Sequence, residues 1–198
     1  MNLINNMEAQ HAWLEKTDGD FAVFLAQVNA ETHPRSVPLA TLIEKNVPVY
    51  SGVDVRAASH RPSHKKALLA EWSKVFLSGA GTIVIRNGIE NTEVIDRASE
   101  IFSQIIENEK VNTIGGGDHF AKVGSNDRIW NALEKHCLND PKNFIEYYAS
   151  DAVAMAAEAW LGRGYQVTAQ VNCVKPSGKA QMPHRDYHLG FMAPMQTL

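Results

Sequence analysis

The chain has 198 residues, 44 % apolar and 21 % charged, with a formal net charge of −3. That is the balance of an ordinary globular protein with enough chain for a real core, which excludes disordered and collagen-like classes. Basic residues are scattered, densest from Arg56 to Lys66, so nothing offers a general attraction for nucleic acid or an acidic membrane.

Residues 1–30 place Trp13, Leu14, Phe21, Phe24, Leu25 and Val28 at the spacings of an amphipathic helix or two short ones. His33 to Pro62 carries Pro34, Pro38, Pro48 and Pro62 and reads as mostly loop, with Leu39 to Lys45 a candidate helical turn. From a capping Ser63, the residues Leu68, Leu69, Trp72, Val75, Phe76 and Leu77 predict a helix that stops at Gly79 and Gly81. Thr82 to Ile85 predicts a short strand, which passes through Asn87-Gly88 to a second helix, capped by Thr92 and carrying Ile95, Ala98, Ile101, Phe102 and Ile105. Gly115-Gly116-Gly117 is a loop. Asp127 to His136 and Asn143 to Leu161 read as further helices, the second ending at Gly162 and Gly164.

After Gly164 the pattern changes. Tyr165 to Val174 alternates apolar and polar residues at period two, which predicts a long strand with one polar face holding Gln170 and Asn172. Pro176 to Lys179 is a turn by composition, and Met182 to Met192 a second extended segment. No repeat or linker divides the chain, so residues 1–198 read as one domain, with 1–164 a mainly helical preface holding one early strand and 165–198 the first strands of a sheet.

The chemistry concentrates at Pro183-His184-Arg185-Asp186-Tyr187-His188. On an extended strand His184 and Asp186 share a side, with Cβ atoms about 6.5 Å apart, near enough to converge on one cation. His188 shares that side about 13 Å from His184, too far for the same ion without a sharp bend, so it is a pocket-wall candidate. Imidazole and carboxylate donors on one face of an octahedron suit Fe(II) and leave positions open for a chelating co-substrate and oxygen. Arg185 and Tyr187 face away and read as surface or packing.

A His-x-Asp triplet alone is common. Joined to the polar-faced strand, the Pro-Ser-Gly turn and the string His184 to Phe191, it resembles the phytanoyl-CoA dioxygenase family of Fe(II)- and 2-oxoglutarate-dependent oxygenases. The resemblance covers nearly all of residues 64–198, including Asn126-Asp127-Arg128-Ile129-Trp130, and is sharpest from Ala180 to Phe191. It implies an α+β fold, helical at first and leading into an antiparallel double-stranded β-helix (a cupin-like jelly roll) that would be incomplete at its C-terminal end. It also implies His184 and Asp186 as iron ligands, and hydroxylation of a small organic substrate at the expense of 2-oxoglutarate and O2. Gln170 and Asn172 are candidates to contact the co-substrate.

In the family pattern the second iron His and the basic residue that meets 2-oxoglutarate come later, and the ten residues after His188 contain no His, Arg or Lys. The expectation is therefore a fragment of a longer protein, ahead of an inactive truncated product or a half completed by another chain. Two readings from other classes stand beside the oxygenase. One is a non-catalytic interaction module of the same fold, and the other a zinc-assisted hydrolase using His184, Asp186 and His188.

Other candidates read more plainly. Gly115 to Phe120 lacks the leading strand and the Gly-Lys-Ser/Thr of a phosphate loop, so it reads as a lid in which His119 could touch substrate. His60 and His64 are cap and loop residues, separated by Pro62. Tyr147, Tyr148, Met155 and Trp160 form a packing stripe. Cys137 and Cys173 are too few for a secreted disulfide framework and read as free thiols. No run of about 18 apolar residues exists and the first residues are too polar for a signal peptide, which suggests a cytoplasmic protein.

Overall fold

A computed structural model describes residues 21–111, 126–176 and 178. The described residues fall into two units, 21–30 and 31–178. The first contains helix α1 (Phe21–Val28), in which the rings of Phe21 and Phe24 lie 6.4 Å apart. The second is a mixed α+β unit with two small sheets. No helix among the described residues is long and apolar enough to cross a membrane.

The segment expected to be loop holds a hairpin. Strands β1 (Leu42–Glu44) and β2 (Val47–Ser51) pair antiparallel with Glu44 opposite Val47. The two residues between them, Lys45 and Asn46, have φ of 49° and 69°, the double left-handed pattern of a type I′ turn, whose twist matches the strands. Leu39 to Lys45 is thus a strand entry rather than a helical turn. Pro48 is compatible because β3 (Val84–Arg86) pairs in parallel only with Val49–Ser51, so the missing N–H falls before that ladder begins.

Between β2 and β3 the chain makes two helices. Ser51 ends β2 and caps α2 (Gly52–Ser59), its side chain accepting from the Asp54 N–H at 3.4 Å. Helix α3 (Pro62–Ser78) is the one its apolar pattern predicts, ending at Gly79, but it begins differently. Pro62 occupies the first turn, where its absent N–H leaves nothing unpaired, Arg61 is the cap residue, and Ser63 lies inside the helix. Leu77, assigned to the apolar face, is exposed. The α3 face packs Leu68 and Trp72 against Tyr50, Val55, Ala58 and two residues of α7 (Asp151–Leu161), Ala152 and Met155. The indole of Trp72 meets the Tyr50 ring edge-on at 5.4 Å.

A second core forms around α4 (Glu93–Val111), whose Ala98, Ile101, Phe102 and Ile105 are buried at the expected helical spacing. Thr92 holds the position before its first residue and its carbonyl accepts from the Asp96 N–H at 3.1 Å, while the side chain that accepts at this end is that of Asn91, from the Glu93 N–H at 3.1 Å. The stretch predicted as a helix from Asp127 to His136 divides at Asn131, whose φ is 55°, into strand β4 (Asn126–Ile129) and helix α5 (Ala132–Asn139). The predicted helix from Asn143 to Leu161 is also two. Helix α6 (Pro141–Tyr148) ends at Ala149, and Ser150 caps α7 by accepting from the Val153 N–H at 3.4 Å. Tyr147, Tyr148, Met155 and Trp160 are therefore not one stripe. Met155 lies in the first core, Tyr147 packs on the second, and Trp160 is half exposed against Phe76.

His136 of α5 is fully buried and surrounded by the rings of Phe102, Phe144, Tyr147 and Tyr148, with centroids 4.9 to 5.8 Å away. Its Nε2 lies 2.8 Å from the Asn143 Oδ1, and the Asn143 amide in turn donates to the Val94 carbonyl at 3.0 Å. This chain of contacts ties α5 and α6 to the start of α4.

Candidate functional site

The strand leading toward the His-x-Asp motif is shorter than its alternating pattern. Of residues 165–174 only β5 (Val171–Val174) is strand, pairing antiparallel with β4 in the register Asn126 to Val174, Arg128 to Asn172 and Ile129 to Val171. A strand extends as far as its partner, and β4 has four residues. The turn begins at Lys175, whose carbonyl accepts from the Gly178 N–H at 2.8 Å.

The two faces of this ribbon differ. On the inner face Ile129 is fully buried beside Ile101, Phe102 and Ile105 of α4, with Ala169 and Val171 packed against the same cluster. Asp127 shares that side of β4 and lies 3.2 Å from Lys110 of α4 and 3.0 Å from Lys175. Partial burial acts to raise the Asp127 carboxyl, but hydrogen bonds from Lys175 and Lys110 outweigh it and hold it below the usual carboxylate range.

A carboxyl depressed in the folded state contributes stability that is complete above its unfolded value, about 3.9, and fades as pH falls through the folded value. Asp127→Asn should accordingly lower unfolding free energy by about 0.5–1 kcal/mol near neutrality, since both lysines are partly solvated. The difference from the unsubstituted protein should close below about pH 4. Urea titrations across pH read this directly, and a gap that persists unchanged in acid would refute the assignment.

The outer face carries polar groups. Gln170 and Asn172 are both exposed, but only Asn172 lies in β5, where it is on the side opposite Val171. Arg128 sits directly across from Asn172 and donates from Nε to the Asn172 Oδ1 at 2.6 Å. The guanidinium carbon also lies 4.5 Å from the centroid of the Trp130 ring. Arg128 and Trp130 were hidden within a presumed helix. The signal that could have found them is the alternation Arg128, Ile129, Trp130, which puts a single apolar residue on one side of a strand.

His184, Asp186, His188 and His119 lie outside the described residues, as does the segment from Met182 to Met192. Among the described residues no group of three His, Cys, Asp or Glu is placed to hold a metal ion. His60 ends α2, and His64 falls in the first turn of α3 rather than in a loop, its Nδ1 3.3 Å from the Ser63 hydroxyl. Cys137 and Cys173 are free thiols. An open groove of about 720 Å³ between β3 and α7 is walled by Ile83, Ile85, Ile95, Ala152, Val153 and Ala156, with no titratable side chain among the described residues of its lining.

No protein-family model matches the chain, no curated protein matches its sequence, and no solved structure matches its fold.

Proposed function

We propose that the protein is an Fe(II)- and 2-oxoglutarate-dependent dioxygenase that hydroxylates a small organic substrate. His184 and Asp186 would hold the metal, Gln170 and Asn172 would face the co-substrate, and His188 and His119 would line the substrate pocket. In this reading β4, β5 and the chain after Gly178 would begin a double-stranded β-helix. One observation carries it: the motif His184-x-Asp186 follows β5 in the sequence, a strand whose Asn172 is exposed and bonded to Arg128 while its Val171 packs against the α4 cluster.

The donor set fits the metal, since an imidazole and a carboxylate together are borderline-to-hard ligands of the kind Fe(II) accepts. Bound Fe(II) supplies the oxygen chemistry, and 2-oxoglutarate, on oxidative decarboxylation to succinate, the remaining two electrons. The chain's part is to fix two donors at i and i+2 and to offer amide side chains within one polar face, where they can orient a carboxylate without competing for the metal.

The test is Fe(II) retention at equilibrium dialysis, with succinate formation from 2-oxoglutarate under air followed alongside. The expected result is iron retention that is lost in Asp186→Ala, together with any iron-dependent turnover. Iron retained equally by the two proteins or by neither, or turnover undiminished in Asp186→Ala, would sink the oxygenase reading, while zinc-stimulated ester hydrolysis without oxygen uptake would favour a hydrolase at the same residues.

A further inference from the structure

We infer that Arg128 is an anchor for the carboxylate of a small organic acid on the outer face of the β4–β5 ribbon. Arginines in this protein that approach an acidic side chain are neutralised by it: Arg56 by Glu90, Arg86 by Glu44, Arg97 by Glu100 and Asp140, and Arg163 by Glu158. Arg35, Arg61 and Arg128 have no such partner among the described residues, and of these Arg128 alone is held by other side chains. Its contacts are a neutral amide oxygen at 2.6 Å and the face of an indole at 4.5 Å, and it forms no ion pair among the described residues.

Those two contacts hold the guanidinium by Nε and by its carbon over the Trp130 ring. They leave the Nη1 and Nη2 edge as a fork of donors, the geometry that takes a carboxylate in two parallel hydrogen bonds. The side chain's freedom is already restricted by Asn172 and Trp130, so little further ordering is needed when an anion binds. A single arginine matches a monoanionic carboxylate better than a phosphate dianion, because the nearby cations Lys110 and Lys175 are engaged by Asp127, which lies on the opposite side of the strand from Arg128.

The carboxylate could be that of the co-substrate or that of the substrate. The inference rests on the oxygenase reading for its place in a reaction, but its test does not, because the titration is run in chelator without metal. The full chain is titrated at constant ionic strength with 2-oxoglutarate and, separately, with hexanoate. The Arg128 Nε–H and Trp130 indole N–H resonances are followed by NMR.

Saturable shifts of both resonances are expected with at least one acid and not with chloride. Binding of that acid should be roughly 10- to 100-fold weaker in Arg128→Gln, whose amide can still reach Asn172. Weakening confined to 2-oxoglutarate assigns the co-substrate, and weakening of hexanoate assigns the substrate. Absence of saturable shifts, equal affinity in Arg128→Gln, or tighter binding of inorganic phosphate would each overturn the anchor. The resonance shifts in the unsubstituted protein decide the matter even if the variant does not fold. Failure of iron retention with an intact carboxylate titration would remove the oxygenase reading alone.

Discussion

Gly52→Ala should destabilise the protein by about 3–5 kcal/mol, near the upper end for a single added methyl group. A Cβ built at Gly52 would lie 2.0 Å from the Asn87 carbonyl oxygen, 2.4 Å from its carbon and 2.8 Å from the Arg86 carbonyl oxygen. All three are backbone atoms, so no rotamer change relieves the overlap. They are also pinned. Arg86 pairs with Ser51 at the end of the parallel ladder, and the Asn87 carbonyl accepts from the Arg56 guanidinium at 2.7 Å.

Gly52 is therefore where the ends of β2 and β3 approach so closely that only a hydrogen fits, and a methyl group would drive β3 off a ladder of three residue pairs. Gly164, where an added Cβ meets nothing within 4 Å, is the control: Gly164→Ala should be neutral or stabilise by up to about 1 kcal/mol. Urea midpoints of the two variants measure the contrast. Equal midpoints would mean that β3 does not depend on this contact.

The elements legible in the sequence are those whose local signal and tertiary role coincide. Helices α3 and α4 bury the residues that their periodicity marks, and Asn87-Gly88 makes a turn because Asn87 tolerates a φ of 55°. The elements that were not legible depend on distant partners. Strand β4 reads Asn-Asp-Arg-Ile, with one apolar residue in four, and exists because β5 pairs with it 44 residues later. The β1–β2 hairpin was obscured by Pro48 and by a Lys-Asn turn in place of the usual Asn-Gly.

The break between α6 and α7 was written in Ser150-Asp151, a cap signal inside a continuous apolar pattern that two helices satisfy as well as one. For the site, Gln170 and Asn172 are exposed, but the strand expected to carry both includes only Asn172. Arg128 could not be joined to them, because cross-strand register is a property of the folded sheet and not of either strand alone.

Glu71→Ala is the second substitution expected to cost heavily, about 2–4 kcal/mol. Glu71 is buried on α3, where Oε1 accepts from the Tyr50 hydroxyl at 2.9 Å and Oε2 from the Leu39 N–H at 3.1 Å. Alanine leaves a fully buried phenol and a partly buried backbone donor without a protein acceptor. Glutamine should restore most of the loss. Its carbonyl oxygen can accept from Leu39, and its NH2 can donate to the Tyr50 oxygen, which can act as an acceptor because a hydroxyl does both.

The same contact predicts alkaline behaviour. Burial of the Tyr50 phenol, then its hydrogen bond to Glu71 and the Glu71 charge, push its pKa far above the ordinary tyrosine value. A group raised in the folded state contributes stability that is complete below its unfolded value, about 10, and is lost as pH rises from there toward the folded value. Unfolding free energy should therefore fall above about pH 10, with a smaller fall in Tyr50→Phe. Denaturant titrations of Glu71→Ala, Glu71→Gln and Tyr50→Phe at neutral and alkaline pH separate these effects. Equal losses in the alanine and glutamine variants would show that Glu71 acts through its packed volume and not through its two hydrogen bonds.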